Sequence, residues 1–590
     1  MKLNDIIKGV VAGVLALGFC SCQDFLDRPG EDNYNTANFY QNDAQCIQGV
    51  NYLYNSPWYD FQRAFIKIGE VMSGNMYWGS SPYLTFTTNS TDVDLKNMSY
   101  SLWAVNGHAN TVIMNILNSE GPSQAVKNQC IGEALTLKAL AYFFMVRTFG
   151  EVPIIHDNNE ILTSGKYNEV TKVTKENVYE YIIVTLEKAM ELLPKKTSGW
   201  DGRIDYYAAE GLLAKVYLTK AGVTGTLNND DLTKAAQYAK DVIDNSGRTL
   251  TPKFSDIFRL APATHNQTGE PMISWLWAAG RDPWTQQNTL QSDLMGEGFS
   301  ETGDLWGGWG GPSYDLMLAY GADPLTDPRE RARTETDTRR KSTIMMAGDQ
   351  YEYFWRDKGG FDLLRYIYDD EYGKGGPDVF QGPCGGQNCK HLYGNIADHE
   401  AETGLTPGNM CYQLPTHILR LGDVYLVGAE ASLLTGNNAA ALEYVNNVRE
   451  RAGAELLSSV TIQDIWKERR LELAGEGDYW YDFVRRSYYA MDDAIKELLA
   501  QKRNQMYSYD AVCADYFEGA TVGAGDKMDY SACEWNPDPT VTFYNTDTPA
   551  PNVTASVFTL PFPQEDVVYN PNLLEPAVEV DVRATYVYNF

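Results

Sequence analysis

No stretch of this 590-residue sequence has eighteen uninterrupted apolar residues, so no membrane-spanning helix is predicted. No low-complexity linker divides the chain, which favours one large globule over a string of domains. Basic residues are also scarce, since 48 Lys and Arg against 78 Asp and Glu leave a net charge of −30. A surface of this charge repels nucleic acid and anionic lipid and favours neutral or cationic partners.

The motifs of common hydrolases are absent as well. There is no G-x-S-x-G elbow and no H-E-x-x-H motif, and HEAET (399–403) has only the first two letters of the latter. GGWGG (307–311) lacks the lysine of a phosphate-binding loop. NNDD (228–231) and DPLTD (323–327) could hold Ca²⁺ but lack the twelve-residue loop spacing, so turns are predicted there. The sequence therefore predicts neither catalysis nor a cofactor.

The N-terminus has the pattern of an export signal. Lys2 and Lys8 flank the apolar run 10–19, which is too short to span a bilayer, and a polar, loop-forming stretch follows. Of the two cysteines in FCSC, Cys22 follows the small Ser21, whereas Cys20 follows a bulky phenylalanine. Because a lipoprotein signal peptidase needs a small residue before the modified cysteine, residues 1–21 are predicted to be removed and Cys22 to be lipidated.

Nine cysteines are an odd number, and seven remain if Cys20 leaves and Cys22 is modified. The stretch CGGQNC (384–389) could close a small disulfide loop in an oxidising compartment or carry two free thiols. A metal site there would need two more ligands, and only His391 and His399 lie near it in the sequence. A disulfide loop or two free thiols are therefore favoured over a metal site.

Segments with helical periodicity occur in pairs along the chain and carry Ala and Gly at the predicted contact positions. Capping residues begin these segments, and Gly or Pro ends them. The segments predicted to be helical are 131–150, 174–194, 205–222, 230–247, 414–436, 437–453 and 461–477. Repeated helical hairpins of this kind indicate tetratricopeptide-like units. The predicted fold is mainly α, a single globule over 22–590.

The parts of the globule differ in character. The helical-repeat scaffold is predicted over about 125–250 and 414–500. Long irregular segments, rich in Gly, Pro, Asp and Trp, are predicted to be loop-rich at about 50–110, 250–410 and 510–590. Loops of that length are uncommon unless they have a function, so the first two are predicted to face a ligand.

Aromatic residues are abundant, with 39 Tyr and 13 Trp, and three irregular stretches place them beside hydrogen-bonding groups. A sugar ring is bound by flat aromatic faces together with Asn, Asp, Arg or Gln side chains, and such residues must lie on loops to be reached. The candidate ligand-binding residues are Asn75, Tyr77 and Trp78 in the stretch 73–83, Arg281 and Trp284 in 278–288, and Asp304, Trp306 and Trp309 in 302–314. Glycines around Trp306 and Trp309 favour a loop that exposes its rings; alternatively, one ring fills a junction between scaffold and loops.

Eight stretches, in order along the chain, resemble the SusD/RagB family of surface nutrient-binding lipoproteins. They are CQDFLDRPGE (22–31), GEALTLKALAYFFMVRTFGEVPII (132–155), GRIDYYAAEGLLAKVYLTKAG (202–222), GPSYDLMLAYGADPLTDPRERA (311–332), LRLGDVYLVGAEASLL (419–434), VNNVRERAG (445–453), ERRLELAGEGDYWYDFVRR (468–486) and LPFPQEDVVYNPNLLEP (560–576). The resemblance implies four tetratricopeptide-like hairpins, a lipid anchor at the outer membrane and a location on the cell surface. It also implies a TonB-dependent transporter (SusC-like) barrel as partner and capture of oligosaccharides, less often peptides, without catalysis.

Two alternatives to glycan capture remain from the sequence, namely the same role for oligopeptides and a surface glycan hydrolase. The paired charges of 468–486 include residue types that serve as catalytic acids and bases, but salt bridges and helix-end contacts at a closing loop account for them better. The candidate ligand residues match the family by position along the chain only, since its loop sequences diverge.

Overall fold

The computed structural model describes residues 39–79, 81–197, 199–260, 268–280, 286–296, 298–302, 310–373, 385–507, 510–537, 544–545 and 551–590. The predicted signal peptide, Cys22 and Cys384 lie outside these residues. Within them the chain is mainly helical, as the sequence predicts, and its strands are short.

The α-helices are numbered in chain order. They are α1 (Asp43–Asn51), α2 (Gln62–Ile66), α3 (Pro82–Thr85), α4 (Val93–Leu117), α5 (Gln124–Phe149), α6 (Asn158–Ser164), α7 (Lys175–Leu192), α8 (Tyr206–Lys220), α9 (Asn229–Asn245), α10 (Leu290–Leu294), α11 (Tyr314–Ala319), α12 (Pro328–Thr334), α13 (Arg339–Thr343), α14 (Leu363–Tyr368), α15 (Ile396–Thr403), α16 (Leu421–Leu434), α17 (Asn438–Ala452), α18 (Ile462–Leu473), α19 (Tyr479–Ser487), α20 (Met491–Ala500), α21 (Asp510–Glu518), α22 (Gln564–Tyr569) and α23 (Val582–Thr585). A π-helical turn, Lys67–Met72, continues α2.

The strands pair two by two in antiparallel ladders. They are β1 (Met76–Tyr77), β2 (Pro271–Trp275), β3 (Gly311–Pro312), β4 (Ile344–Met345), β5 (Gln350–Tyr351), β6 (Phe361–Asp362), β7 (Gln387–Asn388), β8 (Thr416–Arg420), β9 (Gln505–Met506), β10 (Thr521–Val522), β11 (Met528–Asp529) and β12 (Tyr544–Asn545). The pairs are β1 with β3, β2 with β8, β4 with β7, β5 with β6, β9 with β12, and β10 with β11.

The helix boundaries follow from capping residues. The Thr174 side chain accepts a hydrogen bond from the backbone N–H of Asn177 at the start of α7, and Thr461 and Asp464 form a reciprocal capping box at α18. Gly453 ends α17 with φ +75°, a conformation that costs glycine little. Asn228 caps α9, so residues 229–231 form the first turn of that helix, where the sequence analysis predicts a turn. Asp327, the last residue of 323–327, caps α12.

The core is built from helices packed as hairpins. Helix α5 lies between α4 and α7, α8 packs on α9, and α16 packs on both α9 and α17. Glycines allow the close approaches: a Cβ on Gly211 of α8 would lie 3.1 Å from Val424 of α16. A Cβ on Gly428 of α16 would lie 3.2 Å from Ala239 of α9. These close contacts explain why small residues occupy the predicted contact positions of the helices. The helices packed in this way form the tetratricopeptide-like scaffold.

Helix α5 is the most enclosed element. It is long and apolar enough to cross a bilayer by composition, but 94% of its most apolar stretch is buried within the protein. Its side chains from Cys130 to Phe149 are all buried. This helix is therefore the central core helix of the scaffold.

Two sequence predictions need correction. The segment 414–436 is predicted as one helix, but residues Thr416–Arg420 form strand β8, which pairs with β2 before α16 begins. The segment 50–110, predicted to be loop-rich, contains most of the 25-residue helix α4. From residue 97 to 117 this helix has no charged side chain, and its stability comes from packing on α5 rather than from a polar outer face.

The charged stretch 468–486 forms a buried ion-pair network, which confirms the structural interpretation of its charges. Glu472 pairs with Arg420 at 2.6 Å and Arg339 at 3.2 Å, and also with Arg451. Arg469 pairs with Asp423 at 2.9 Å, which ties α18 to α16. Because buried charges are costly unless paired, each bridge depends on its neighbours.

Candidate functional site

Two of the aromatic segments predicted from sequence meet in the structure. Strand β1 pairs with β3 in the register Met76 to Pro312 and Tyr77 to Gly311, although 236 and 234 positions separate the paired residues. The pairing is extended by Ser313, whose N–H donates to the carbonyl of Asn75 at 2.9 Å. The segment that carries Trp78 therefore lies directly beside the glycines that follow residues 303–309.

The third predicted segment is held at the same place. The side-chain amide of Asn388 on β7 donates to the carbonyl of Gly310 at 2.6 Å and to that of Leu294 at 3.2 Å. Leu294 ends α10, the helix that follows the stretch 278–288. The Gln62 side chain fixes the start of this helix by donating to the carbonyl of Gln287 at 3.0 Å. The Asn388 amide thus ties the C-terminal end of α10, the helix after the stretch 278–288, to Gly310.

Trp78 is the half-buried ring at this junction. A Cβ placed on Gly310 would lie 2.7 Å from Cε3 of Trp78, so the indole face lies directly on the glycine backbone. Nζ of Lys67 lies 5.2 Å from the indole centroid, within the range of a cation–π contact. The ring is therefore fixed in orientation while part of it remains accessible.

Charged residues that the sequence pattern did not indicate surround this ring. Lys67 forms a salt bridge with Asp94 of α4, and both side chains are mostly buried. Arg63 pairs with Asp293 of α10 at 3.0 Å. Burial raises the pKa of Asp293 to about 6, although the Arg63 guanidinium opposes that rise. The ion pair holds Arg63, whose side chain is 42% exposed, on the mostly buried Asp293.

Asn75 lies beneath the junction and is fully buried. Its amide nitrogen donates to Glu70 at 2.9 Å, and its amide oxygen accepts from Arg470 at 2.8 Å. Glu70 also accepts from the backbone N–H of Gly477 at 2.7 Å. The position gives Asn75 a supporting role for β1, so direct contact with a ligand, as the sequence analysis expects, would require this network to open.

The other predicted aromatic residues divide into buried ones and ones outside the described structure. Tyr77 is only 8% exposed. Tyr83, in the same predicted segment, is fully buried and donates its hydroxyl to Asp92 at 2.6 Å. The remaining candidates lie outside the described residues, and their contact with ligand stays a prediction: Arg281, Trp284, Asp304, Trp306 and Trp309. In the described part of the chain no group of three or more His, Cys, Asp and Glu side chains is arranged to hold a metal ion.

Comparison with known proteins agrees with this architecture. A family model described as "SusD family" matches residues 310–576, and one described as "Starch-binding associating with outer membrane" matches residues 24–218. The chain, mainly helical with short paired strands in its described part, is thus of the SusD-like class.

Individual relatives match over most or nearly all of the chain. A SusD-like protein of Bacteroides ovatus is 34% identical over 598 residues, which cover 98% of this chain and 99% of the relative. SusD-like protein P2 of Formosa agariphila is 26% identical over 475 residues, covering 72% and 83%. A crystal structure with a xylogluco-oligosaccharide superposes with a TM-score of 0.72 at 29% identity, covering 91% of this chain and 99% of the other. The protein belongs to the SusD family.

Proposed function

We propose that this protein binds oligosaccharides at the cell surface, on a face formed by Trp78 and the segments 278–288 and 302–314. The observation that carries the proposal is the β1–β3 pairing, which places the Trp78 ring beside the end of the Trp306 and Trp309 segment. Family membership and the relative solved with a xylogluco-oligosaccharide support a glycan as ligand. In this proposal Trp78, Trp284, Trp306 and Trp309 supply ring faces, and Arg281 and Asp304 bond hydroxyls.

Binding is tested by calorimetric titration of the full mature chain with xylogluco-oligosaccharides and malto-oligosaccharides. We expect one of these to bind, with an affinity that falls at least about tenfold in Trp78→Ala, equivalent to about 1.4 kcal/mol. Trp306→Ala and Trp309→Ala should lower the affinity for the same ligand without changing the free energy of unfolding. Tyr167→Ala, which removes a 65% exposed ring elsewhere, is the matched control and should bind normally. Normal binding by all three tryptophan variants would show that this face is not the site.

We further propose that the protein is anchored in the outer membrane through a lipid on Cys22 and delivers its ligand to a TonB-dependent transporter. The family description that includes association with the outer membrane supports the location. Lipid labelling should be lost in Cys22→Ala and kept in Cys20→Ala; the reverse pattern would contradict the assignment. Co-purification of the protein with a TonB-dependent transporter barrel from the native outer membrane would test the partner, and absence of any complex would count against it.

The proposed role is binding without turnover. The charged side chains of 468–486, which include possible acids and bases, are engaged in buried ion pairs, and this supports a structural role for them. Incubation of the purified protein with each bound oligosaccharide should leave its chain length unchanged. Release of shorter sugars would instead favour the hydrolase alternative, and binding of peptides alone would favour the oligopeptide alternative.

A further inference from the structure

A cleft of about 390 Å³ lies between the start of α4 and helix α22. One wall comes from residues 90–92 and Lys96, and the other comes from residues 563–565 with Val568 and Tyr569. Trp78 itself does not line this cleft. The size of the cleft lies within the range of small-molecule sites in proteins.

Hydrogen bonds between the two walls hold the cleft in shape. The backbone N–H of Gln564 donates to the carbonyl of Ser90 at 2.8 Å, although the two residues lie far apart in the sequence. The hydroxyl of Ser99, one turn further along α4, donates to Asp566 of α22. Because these contacts order the walls before a ligand arrives, binding in the cleft costs little further ordering of the protein.

The charged side chains of the cleft are engaged with partners in the protein. Lys96 and Glu565 form an ion pair at 3.2 Å, which joins one wall to the other. Asp92 caps α4 by accepting from the backbone N–H of Leu95 at 2.9 Å, and it also accepts the Tyr83 hydroxyl at 2.6 Å. With one ammonium group and two carboxylates in its lining, the cleft offers no net positive charge to an anion. Its composition therefore favours an uncharged ligand.

An exposed aromatic ring and two neutral polar side chains line the same cleft. Tyr569 is 75% exposed, and its ring stacks on no other ring in the described part of the chain. The Gln564 amide and the Ser90 hydroxyl likewise make no side-chain hydrogen bond with a described residue. A single exposed ring is ordinary at a protein surface. A ring beside uncharged hydrogen-bonding groups in a cleft, however, matches the apolar face and the hydroxyls of a neutral sugar.

The cleft and the Trp78 junction lie on opposite flanks of the first turn of α4. Asp94 pairs with Lys67, whose Nζ lies 5.2 Å from the Trp78 ring centroid, whereas Lys96 lines the cleft. Two residues along an α-helix correspond to a rotation of about 200°, so these side chains leave the helix on opposite sides. Val93 lies between the two flanks and is 61% exposed. A chain that touches both places therefore crosses α4 over Val93.

We propose that this cleft is a second subsite for a neutral oligosaccharide, which contacts Trp78 with one part of its chain and Tyr569 with another. The inference rests on the proposed function, since it starts from a glycan bound at Trp78. A chain too short to cross α4 gains nothing from the cleft. A longer chain held at Trp78 reaches the cleft at high effective concentration, so the second contact adds to its affinity. The protein thereby selects long chains over short ones.

The test is calorimetric titration of the full mature chain with malto-oligosaccharides and xylogluco-oligosaccharides of increasing length. In the wild type, affinity should rise at least about tenfold once the chain is long enough to cross α4. Tyr569→Ala should remove this rise while leaving the affinity for the shortest bound chain unchanged. Gln564→Ala should reduce the rise by a smaller factor. Trp78→Ala should lower the affinity for every chain length, so the two contributions are measured separately.

Tyr52→Ala is the matched control, since it removes a 40% exposed ring that does not line the cleft, and it should leave the whole length series unchanged. The second subsite is overturned if affinity does not rise with chain length, if the rise persists in Tyr569→Ala, or if Tyr569→Ala weakens short and long chains equally. Each of these results leaves the Trp78 face intact. Normal binding of short chains by Trp78→Ala would instead contradict the proposed function, and binding of neither series would overturn both proposals.

Discussion

Replacing Gly310 by alanine should displace the Trp78 ring while leaving the rest of the scaffold in place. The added Cβ would lie 2.7 Å from Cε3 of Trp78, about 0.7 Å inside ordinary van der Waals contact. Overpacking of this kind costs about 1–3 kcal/mol in a closed core. We expect about 1 kcal/mol of lost unfolding free energy, at the low end, because the half-buried ring can move toward solvent.

The same displacement sets the expected effect on ligand affinity. If stacking on Trp78 contributes about 1.4 kcal/mol, the amount expected to be lost in Trp78→Ala, a gap of 0.5–1 Å forfeits about a quarter to a half of the contact. This corresponds to an affinity about two- to threefold weaker in Gly310→Ala, a smaller loss than in Trp78→Ala. Calorimetric titration and urea denaturation of the same protein preparation measure both quantities.

Gly107→Ala is the control for this experiment. Gly107 lies inside α4, and a Cβ there would meet no atom within 4 Å. Alanine in a helix interior should raise stability by about 0.5–1 kcal/mol and leave affinity unchanged. If Gly310→Ala is as stable as the wild type and binds glycan equally well, Trp78 is not fixed by this glycine and the geometry argued for the site is wrong.

Three further predictions concern stability. Burial alone would raise the pKa of Glu476, but Arg420 and Lys390 outweigh it and lower the pKa from 4.5 to about 2. Because the folded pKa is depressed, this carboxyl contributes about 3 kcal/mol above pH 4.5, and the contribution is lost as pH falls toward 2. Glu476→Gln should therefore lower unfolding free energy at pH 7 and flatten its decline between pH 4.5 and 2; an unchanged pH profile would refute this. Asn75→Ala should cost about 3 kcal/mol, since it removes two buried hydrogen bonds to charged groups, one to Glu70 and one from Arg470; a loss below about 1 kcal/mol in urea denaturation would contradict the supporting role. Thr461→Ala should cost about 1 kcal/mol through loss of the α18 capping box, and no change in unfolding free energy would show that the cap contributes nothing.

Local signals predicted most of the scaffold. Helices α7 and α18 begin where Thr174 and Thr461 provide caps, and α17 ends at Gly453, because these hydrogen bonds and φ angles involve residues close in sequence. Helix α4 escaped prediction because its uncharged outer face lacks the alternation of apolar and charged residues that marks a surface helix. Strand β8 was hidden in a helix-like apolar pattern, since its partner β2 lies about 145 residues earlier.

The candidate site was predictable only in part, because its contacts, like the pairing of β2 with β8, join residues that lie far apart in the sequence. Aromatic residues on glycine-rich stretches identified Trp78 and the segment before Gly310 as candidates, but their adjacency arises from a ladder between distant strands. The sequence did not indicate that Lys67 and its partner Asp94 belong to the site, because a lysine in a helical segment has the same local pattern whether it lies at the surface or in a buried ion pair. Asn75 appeared to be a ligand group from its neighbours, whereas its partner Arg470 lies 395 residues away.

A crystal structure of the protein with its tightest-binding neutral oligosaccharide provides the most direct measurement. Oligosaccharide capture at the junction predicts a sugar ring within about 4 Å of the Trp78 indole, in contact also with residues of the segments 278–288 or 302–314. A bound sugar located elsewhere, with Trp78 contacting no part of it, would contradict the proposed function of this face.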